Sequence, residues 1–398
     1  MELQDSLTTN KLLNVLSHLP AKTLLGFKCV SKEYCQSIST DRLFIKAQIE
    51  KTELALSGFI FQEKMWTDED LKGQSYINIH IFDHRHDNHN RRPKSVVHRN
   101  VFSFLPEDVV VLSSCNGLIC CRSCGFMTCP TKTTFYICNP TNKQWIPLDC
   151  PDFDRFGSFA LAFDPYKDHV DISTKFKLVR VKQDAVESDE DEIQFHTYFE
   201  IYSSETKSWK RSKANCLYNH EVTENVPGIY IEGVLYWQAD IGDFLTFDDV
   251  LTFDVDKESS LVISPPTSFP EFKVTCIGEW KGILHYVMIT KQGLHVWFLE
   301  DYDEAKWGQK AWKSLEEVGC GNSEFSDNLK KLVLQGVSWW IGLLCFKDGV
   351  LMIMLQDEVY FYYIEKNIVL KACSHVDVSS KQLPCLVFPY SMSLVSLK

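Results

Sequence analysis

An eleven-residue unit recurs along this chain, and it restricts the architecture more than any other feature. The unit is a strand with aromatics, a polar turn, and a second strand opening on Trp or Leu. It reads FYICNPTNKQW at 135–145, FEIYSSETKSW at 199–209 and LTFDVDKESSL at 251–261. Looser forms are VWFLEDYDEAKWGQKAW at 296–312 and VYFYYIEKNIV at 359–369. The equal length of the tight copies means that the turn itself is repeated. The units end at residues 145, 209, 261, 312 and 369, giving spacings of 64, 52, 51 and 57. A second anchor, a glycine opening an apolar strand, precedes four of them: Gly117, Gly233, Gly282 and Gly349. Glycine at such a turn permits a positive φ that other residues resist.

Two coupled anchors at a period near fifty residues point to four-stranded propeller blades. The five hairpins mark five blades. Residues 57–112, with strand-like FIF, YINIHIF, FSFL and VVVL, mark one more. The strand-like piece Leu386 to Leu397 is placed to close the ring by pairing with the first blade, which removes an exposed sheet edge. The expected fold is mainly β with a small α domain: a three-helix segment over residues 1–50, then a β-propeller of about six blades over 51–398, seven being the alternative count. A sandwich or irregular β-assembly has similar strand spacing and is the rival architecture.

Residues 1–50 carry a different pattern. Thr8 and Thr9 are placed to cap a first helix with Leu12, Leu13, Leu16 and Leu19 at helical spacing. Pro20 stops that helix and is suited to start the next, which carries Leu24, Leu25 and Phe27. Ser31 is a cap for a third helix, with Val30 and Cys35 placed as a hydrophobic staple and Tyr34 and Ile38 on its apolar face. Asp41 caps a further turn bearing Phe44, Ile45 and Ile49. Fifty residues hardly build a full core, so the leucines either pack on the larger domain or form a docking surface for another protein.

The stretch from Leu7 to Ile49 resembles an F-box motif of the plant type. The elements that match are Leu7, the Leu12/Leu16 helix, Leu19-Pro20, Lys22, Leu24-Leu25, the run Phe27 to Lys32, and Phe44-Ile45. Thr8, Asn10, Lys11 and Tyr34 depart from the family pattern, and the first three fall in the segment that members press against their adaptor. VLSSCNGLICC, FYICNPTNKQWIPL, LAFDPYKD, FEIYSSETKSW and IEGVLYW resemble, in the same order, the F-box-associated region of plant F-box proteins. The resemblance implies a non-catalytic substrate receptor of a cullin-based, SCF-type ubiquitin ligase. The helices would dock on a Skp-type adaptor, and through it a cullin scaffold, while the β-domain would select a protein target. Carried over by position, the adaptor-side residues are Leu7, Leu12, Leu16, Leu19, Pro20, Leu24, Leu25 and Val30. The rival readings are a β-propeller enzyme and a decoy binding protein that no longer engages the adaptor.

Charge and cysteine usage fit an intracellular protein binder. The net charge of −12 is the wrong sign for a protein that neutralises phosphates, so nucleic acid is not an expected partner. No run reaches eighteen apolar residues, and Leu332 to Phe346 is broken by Gln335, Gly336, Ser338 and Gly342, so no membrane span is expected. MELQDSLTTNK has acids where a signal peptide needs bases. Fifteen cysteines without a secretion signal then read as reduced thiols in the cytoplasm or nucleus.

Three clusters invite a chemical reading. Cys115, Cys120, Cys121, Cys124, Cys129, Cys138 and Cys150 include one CxxC pair, but a structural zinc needs four ligands and several of these cysteines sit in apolar strand patterns. His80, His84, His86, His89 and His98 lie among Arg85, Arg91, Arg92 and Lys94, which would repel a cation, so this segment reads as a solvated loop. Asp184, Glu187, Asp189, Glu190, Asp191 and Glu192 read as an acidic loop inserted in one blade. No P-loop, GxGxxG, GxSxG or HExxH occurs, and no cofactor or metal is expected.

Overall fold

A computed structural model describes residues 12–52, 54–63, 80–82, 101–123, 134–149, 157–168, 170–187, 193–218, 227–238, 249–267, 272–374 and 385–397. The described residues begin with a helical turn over residues 12–16, followed by α1 (Ala21–Phe27), α2 (Lys32–Thr40) and α3 (Arg42–Lys51). Pro20 has an extended ψ of 148°, and its carbonyl accepts the Thr23 and Leu24 N–H groups, so it ends one turn and opens α1. Ser31 Oγ accepts the Tyr34 N–H at 3.2 Å, and Asp41 Oδ1 accepts those of Leu43 and Phe44 at 3.0 and 3.1 Å. The two caps follow the sequence pattern. The staple does not, because Val30 and Cys35 are both exposed.

The strands form antiparallel meanders. β3 (Val109–Cys115), β4 (Leu118–Ser123), β5 (Thr134–Asn139) and β6 (Gln144–Asp149) make one. β7 (Ser158–Ala162), β8 (Lys177–Glu187), β9 (Ile193–Ser203) and β10 (Ser208–Tyr218) make the next. β11 (Ile229–Ile231), β12 (Val234–Gln238), β13 (Val250–Asp254) and β14 (Ser259–Ile263) come third. An eight-stranded sheet contains two more meanders: β15 (Lys273–Trp280), β16 (Ile283–Thr290), β17 (Gly293–Asp301) and β18 (Lys306–Lys313), then β19 (Ile341–Lys347), β20 (Val350–Leu355), β21 (Glu358–Tyr363) and β22 (Ile368–Ser374). A short parallel contact between β15 and β19, Gly278↔Phe346 and Glu279↔Lys347, joins them. The remaining sheet pairs β1 (Gly58–Glu63) with β2 (His80–Phe82) on one side and with the C-terminal β23 (Cys385–Tyr390) on the other. The strands β3, β7, β11, β15, β19 and β23 touch in that order and β23 returns to β3, which makes the domain propeller-like. Residues 64–79 and 83–100, on which the count of about six blades also depends, lie outside the described residues.

Turn chemistry explains the repeat. The first and second strands of four meanders are joined by Asn116-Gly117, Glu232-Gly233, Lys281-Gly282 and Asp348-Gly349, with φ positive at both residues. Paired left-handed residues make the turn whose twist suits a two-residue hairpin, and glycine is favoured at its second position. The third and fourth strands are joined by a four-residue loop each time, closed by Asn139↔Gln144, Ser203↔Ser208, Asp254↔Ser259, Asp301↔Lys306 and Tyr363↔Ile368. The last loop residue is left-handed in all five: Lys143, Lys207, Glu258, Ala305 and Asn367. In four of them the side chain opening the loop accepts a backbone N–H two or three residues on: Asn139, Ser203, Asp254 and Asp301.

This common loop corrects the sequence alignment of two copies. The third unit starts at Val250 and not Leu251, so Ser260 opposite Phe253 takes the place of Trp145 opposite Cys138. In the fourth, Trp307 and not Trp312 takes the place of Trp145, two positions after the loop. Register is set by loop length, and an apolar residue one or five positions on mimics the repeat. FSFL is also not a strand. Residues 101–104 form a turn and 105–107 a bend, Phe102 and Leu105 are both buried, and VVVL opens the next sheet. The acidic insertion is partly strand: β8 and β9 pair out to Glu187↔Ile193, which carries Asp184 on β8.

The helices are not independent of this framework. Leu16, Leu24, Ile38, Phe44, Ile45 and Ile49 share one buried cluster with Leu112, Leu118, Phe163, Val170 and the tail residues Leu394 and Val395. Arg42 donates to the Val170 carbonyl at 3.0 Å, and Lys46 pairs with Asp171 at 3.2 Å. The tail after β23 is clamped by the buried Asn139 amide, which donates to the Ser393 and Val395 carbonyls at 2.9 and 2.8 Å.

A fragment of residues 52–398 is expected to show a cooperative melt by circular dichroism, at a lower Tm than the full chain because cutting uncovers Phe163 and Val170. A wholly unfolded fragment would show that residues 1–50 and 51–398 do not separate as domains. Asn139→Ala leaves the Ser393 carbonyl without its donor and the Val395 carbonyl with Asn142 Nδ2 alone, at 2.7 Å, and is expected to cost about 2 kcal/mol in urea unfolding. An unchanged midpoint would show that the tail is held by other contacts.

Candidate adaptor face and axial cavity

The helical module has an inner and an outer face. Leu16 and Leu24 are buried, with Leu24 fully so. Leu19 and Leu25 are half-buried against the same cluster, and the Leu19 carbonyl accepts from Gln48 Nε2 at 3.3 Å. Leu12, Pro20 and Val30 are exposed, Leu12 by 43% and Val30 by 65%. Val15, which is not among the candidates that the motif supplies, is 63% exposed. Its signal is its place one residue before Leu16, on the side of the helix that turns away from the core. Leu7, Thr8, Asn10 and Lys11 lie outside the described residues. The eight sequence candidates thus divide between residues that build the module and residues left in water. Lys28 borders this surface, and burial holds its ammonium below the usual lysine range.

The module sits at one end of the strands. Leu54 N–H donates to the Tyr166 hydroxyl at 2.9 Å and Leu56 N–H to the Asp348 carboxylate at 3.1 Å. Residue 166 lies in the β7–β8 connection and Asp348 in the β19–β20 turn, both at the ends of strands nearest the axis. The Glu187↔Ile193 end of the β8–β9 ladder is at the opposite end of the same sheet, because β8 runs away from the β7–β8 connection.

An axial cavity of about 200 Å³ lies among the innermost strands. β3, β11, β15, β19 and β23 line it, with Ile229, Ile277, Phe346 and Phe388 as apolar wall. Its charged residues are Glu279 and Lys347, on the paired strands β15 and β19.

Four of the seven clustered cysteines are described, and all four are buried: Cys115 on β3, Cys120 and Cys121 on β4, and Cys138 on β5. Cys120 lies opposite Ile137 and Cys138 opposite Ile119, so the two face opposite sides of the sheet and enter different cores. Burial pushes the Cys115 thiol up to about 12, although the nearby Phe163 carbonyl contact and Lys347 oppose this. Burial also raises Cys120. Cys124, Cys129 and Cys150 lie outside the described residues, as do His84, His86, His89 and His98.

Comparison with known proteins bears on both parts. The family model described as "F-box domain" matches residues 12–46, and that described as "F-box associated beta propeller domain" matches residues 70–367. The chain belongs to the F-box proteins with an F-box associated beta propeller domain. "F-box protein At5g07610" of Arabidopsis thaliana is 25% identical over 79% of this chain and 71% of its own length. "F-box protein At5g18160" of Arabidopsis thaliana is 28% identical over 76% of this chain and 69% of its own. Among solved structures, "Oligogalacturonate lyase in complex with manganese" aligns at TM-score 0.37 and 8% identity, covering 81% of this chain and 80% of that one. The F-box domain implies binding to a Skp-type adaptor.

In native F-box protein, peptide-mapped alkylation with iodoacetamide is expected to label Cys29, Cys35 and Cys320 first, since these are exposed. Cys115, Cys120, Cys121, Cys138, Cys276 and Cys345 are expected to react only on unfolding. Early labelling of the second group would contradict the burial described for it.

Proposed function

We propose that this F-box protein is a substrate receptor of an SCF-type ubiquitin ligase in the cytoplasm or nucleus, bridging a Skp-type adaptor and a protein target. The observation that carries this reading is the split helical module. Its inner face is spent on the β-domain, so Leu12, Val15 and Val30 have no packing role there and remain as apolar contacts for a partner. Leu16 and Leu24 then act from inside by fixing the helices, while Leu19, Leu25 and Pro20 set the corner between them. Leu7 belongs to the same proposed surface by its position in the motif.

The β-domain supplies the target side. With the module at one end of the strands, the face at the Glu187↔Ile193 end of β8 and β9 is left for a target. A target held there is brought into the assembly at a high effective concentration, and its lysines meet the charged ubiquitin carrier without further chemistry from this chain. Catalysis belongs to the partner subunits.

Co-purification with a Skp-type adaptor tests the reading. Wild type is expected to bind. Leu12→Ala with Val30→Ala is expected to lose about thirtyfold in affinity, corresponding to ~2 kcal/mol at a desolvated anchor, with little change in Tm. Leu19→Ala with Pro20→Ala is expected to abolish co-purification while target binding by the β-domain persists. Leu24→Ala is expected to act instead through stability, by about 2–5 kcal/mol. Failure of the wild type to bind would favour a decoy, and full binding by both folded double variants would move the docking surface elsewhere.

A further inference from the structure

We propose that the axial cavity is a binding site for a small, neutral, single-ring molecule carrying a carbonyl oxygen, which Lys347 Nζ would hold. The volume sets the size. An apolar protein cavity of about 150 Å³ takes up benzene. The 200 Å³ found here therefore admits one ring with a short substituent. It falls below the ~300–1,000 Å³ of sites for drug-sized ligands, so fused-ring molecules are excluded.

The wall sets the chemistry. Ile229, Ile277, Phe346 and Phe388 favour an apolar ring. Glu279 is satisfied: Oε1 accepts the Gly282 N–H at 2.6 Å, and Oε2 meets Lys347. Lys347 is not. An ammonium has three donors, and among the described residues Glu279 is its one ion-pair or hydrogen-bond partner. The Lys347 side chain is 20% exposed, so its remaining donors meet water, and a ligand oxygen in the cavity would take that water's place.

The charge balance sets the ligand as neutral. Lys347 and Glu279 cancel. The adjacent Asp348 carboxylate, which accepts the Leu56 N–H, is exposed and is not a lining residue, so the cavity lining carries no net charge. A ligand carboxylate would add an uncompensated negative charge to that lining, whereas a carbonyl accepts the hydrogen bond and adds none. Burial lowers the Lys347 pKa, and the nearby Asp348 and Cys115 oppose this. Burial also keeps the Cys115 thiol, another lining group, neutral.

Titration of the full chain by saturation-transfer NMR with benzamide, toluene and benzoate tests this. Benzamide is expected to bind saturably, about tenfold or more tighter than the other two, which is the range for one hydrogen bond from a charged donor. Glu279→Gln with Lys347→Met keeps an acceptor for Gly282 and removes the ammonium, and it is expected to bind benzamide and toluene alike. Ile277→Phe narrows the cavity and is expected to lose all three probes while Lys347 and Glu279 stay in place. Absence of benzamide binding to wild type overturns the proposal. So does a preference for benzoate, a preference retained by the double variant, or unchanged binding by folded Ile277→Phe.

Discussion

The six-residue ladder between β1 and β23 joins the two ends of the β-domain, and the rest of the molecule depends on it. Gly58 pairs with Tyr390 and Glu63 with Cys385. β23 in turn touches β19 on one side and β3 on the other, so the last strand of the chain completes the circuit of strands nearest the axis. Without it, β1 would keep an open edge and the neighbouring sheets would lose a packing partner. The Ser57 N–H reaches the Tyr390 carbonyl at 2.8 Å, and Ser57 Oγ accepts the Met392 N–H at 3.0 Å, so the linker from the helices is fastened to the same strand. Closure therefore also positions the helical module.

The tail beyond β23 adds to this closure. It crosses the Asn116-Gly117 turn closely enough that a Cβ on Gly117 would meet Ser393 Cβ at 2.3 Å. Gly117 is thus required twice, once for its φ of 90° and once for the close approach of the tail. Leu394 and Val395 are then buried in the cluster that also receives Leu16, Leu24 and Phe44. The F-box helices rest on a surface built partly from the opposite end of the chain. A rigid seat of this kind suits a bridging protein, because the distance between adaptor and target is set by the body that carries both.

The axial cavity is a consequence of the same closure. Residues from five of the innermost strands line it, and no two of those strands are contiguous in sequence. Glu279 and Lys347 become neighbours because β15 and β19 run parallel for two residues, bringing together positions separated by a whole meander and by α4 (Ser323–Gln335). The lining also includes the uncharged polar residues Ser114, Asn116, Gln238, Thr275 and Ser391, and the charged pair gives the site a polar end against which a ligand can be oriented.

Local chemistry was legible in the chain. The X-Gly turns, the polar loop openings, the caps at Ser31 and Asp41 and the Pro20 corner each depend on residues within a few positions of one another. α4 was not read from the sequence, although Phe325, Leu329, Leu332 and Val333 fall on one helical face, Asn322 caps it, and Gly336 ends it at φ 70°. The apolar run from Leu332 resembles a short span instead, because the end of this helix and the start of β19 lie close together in sequence. Placement was decided elsewhere. Whether Leu24 or Val30 faces water depends on which helix face the β-domain covers, and that surface includes residues some 370 positions away in the tail. Periodicity identifies apolar positions but carries no signal for which of them a distant segment buries, since burial is a property of packed surfaces and not of neighbours in sequence.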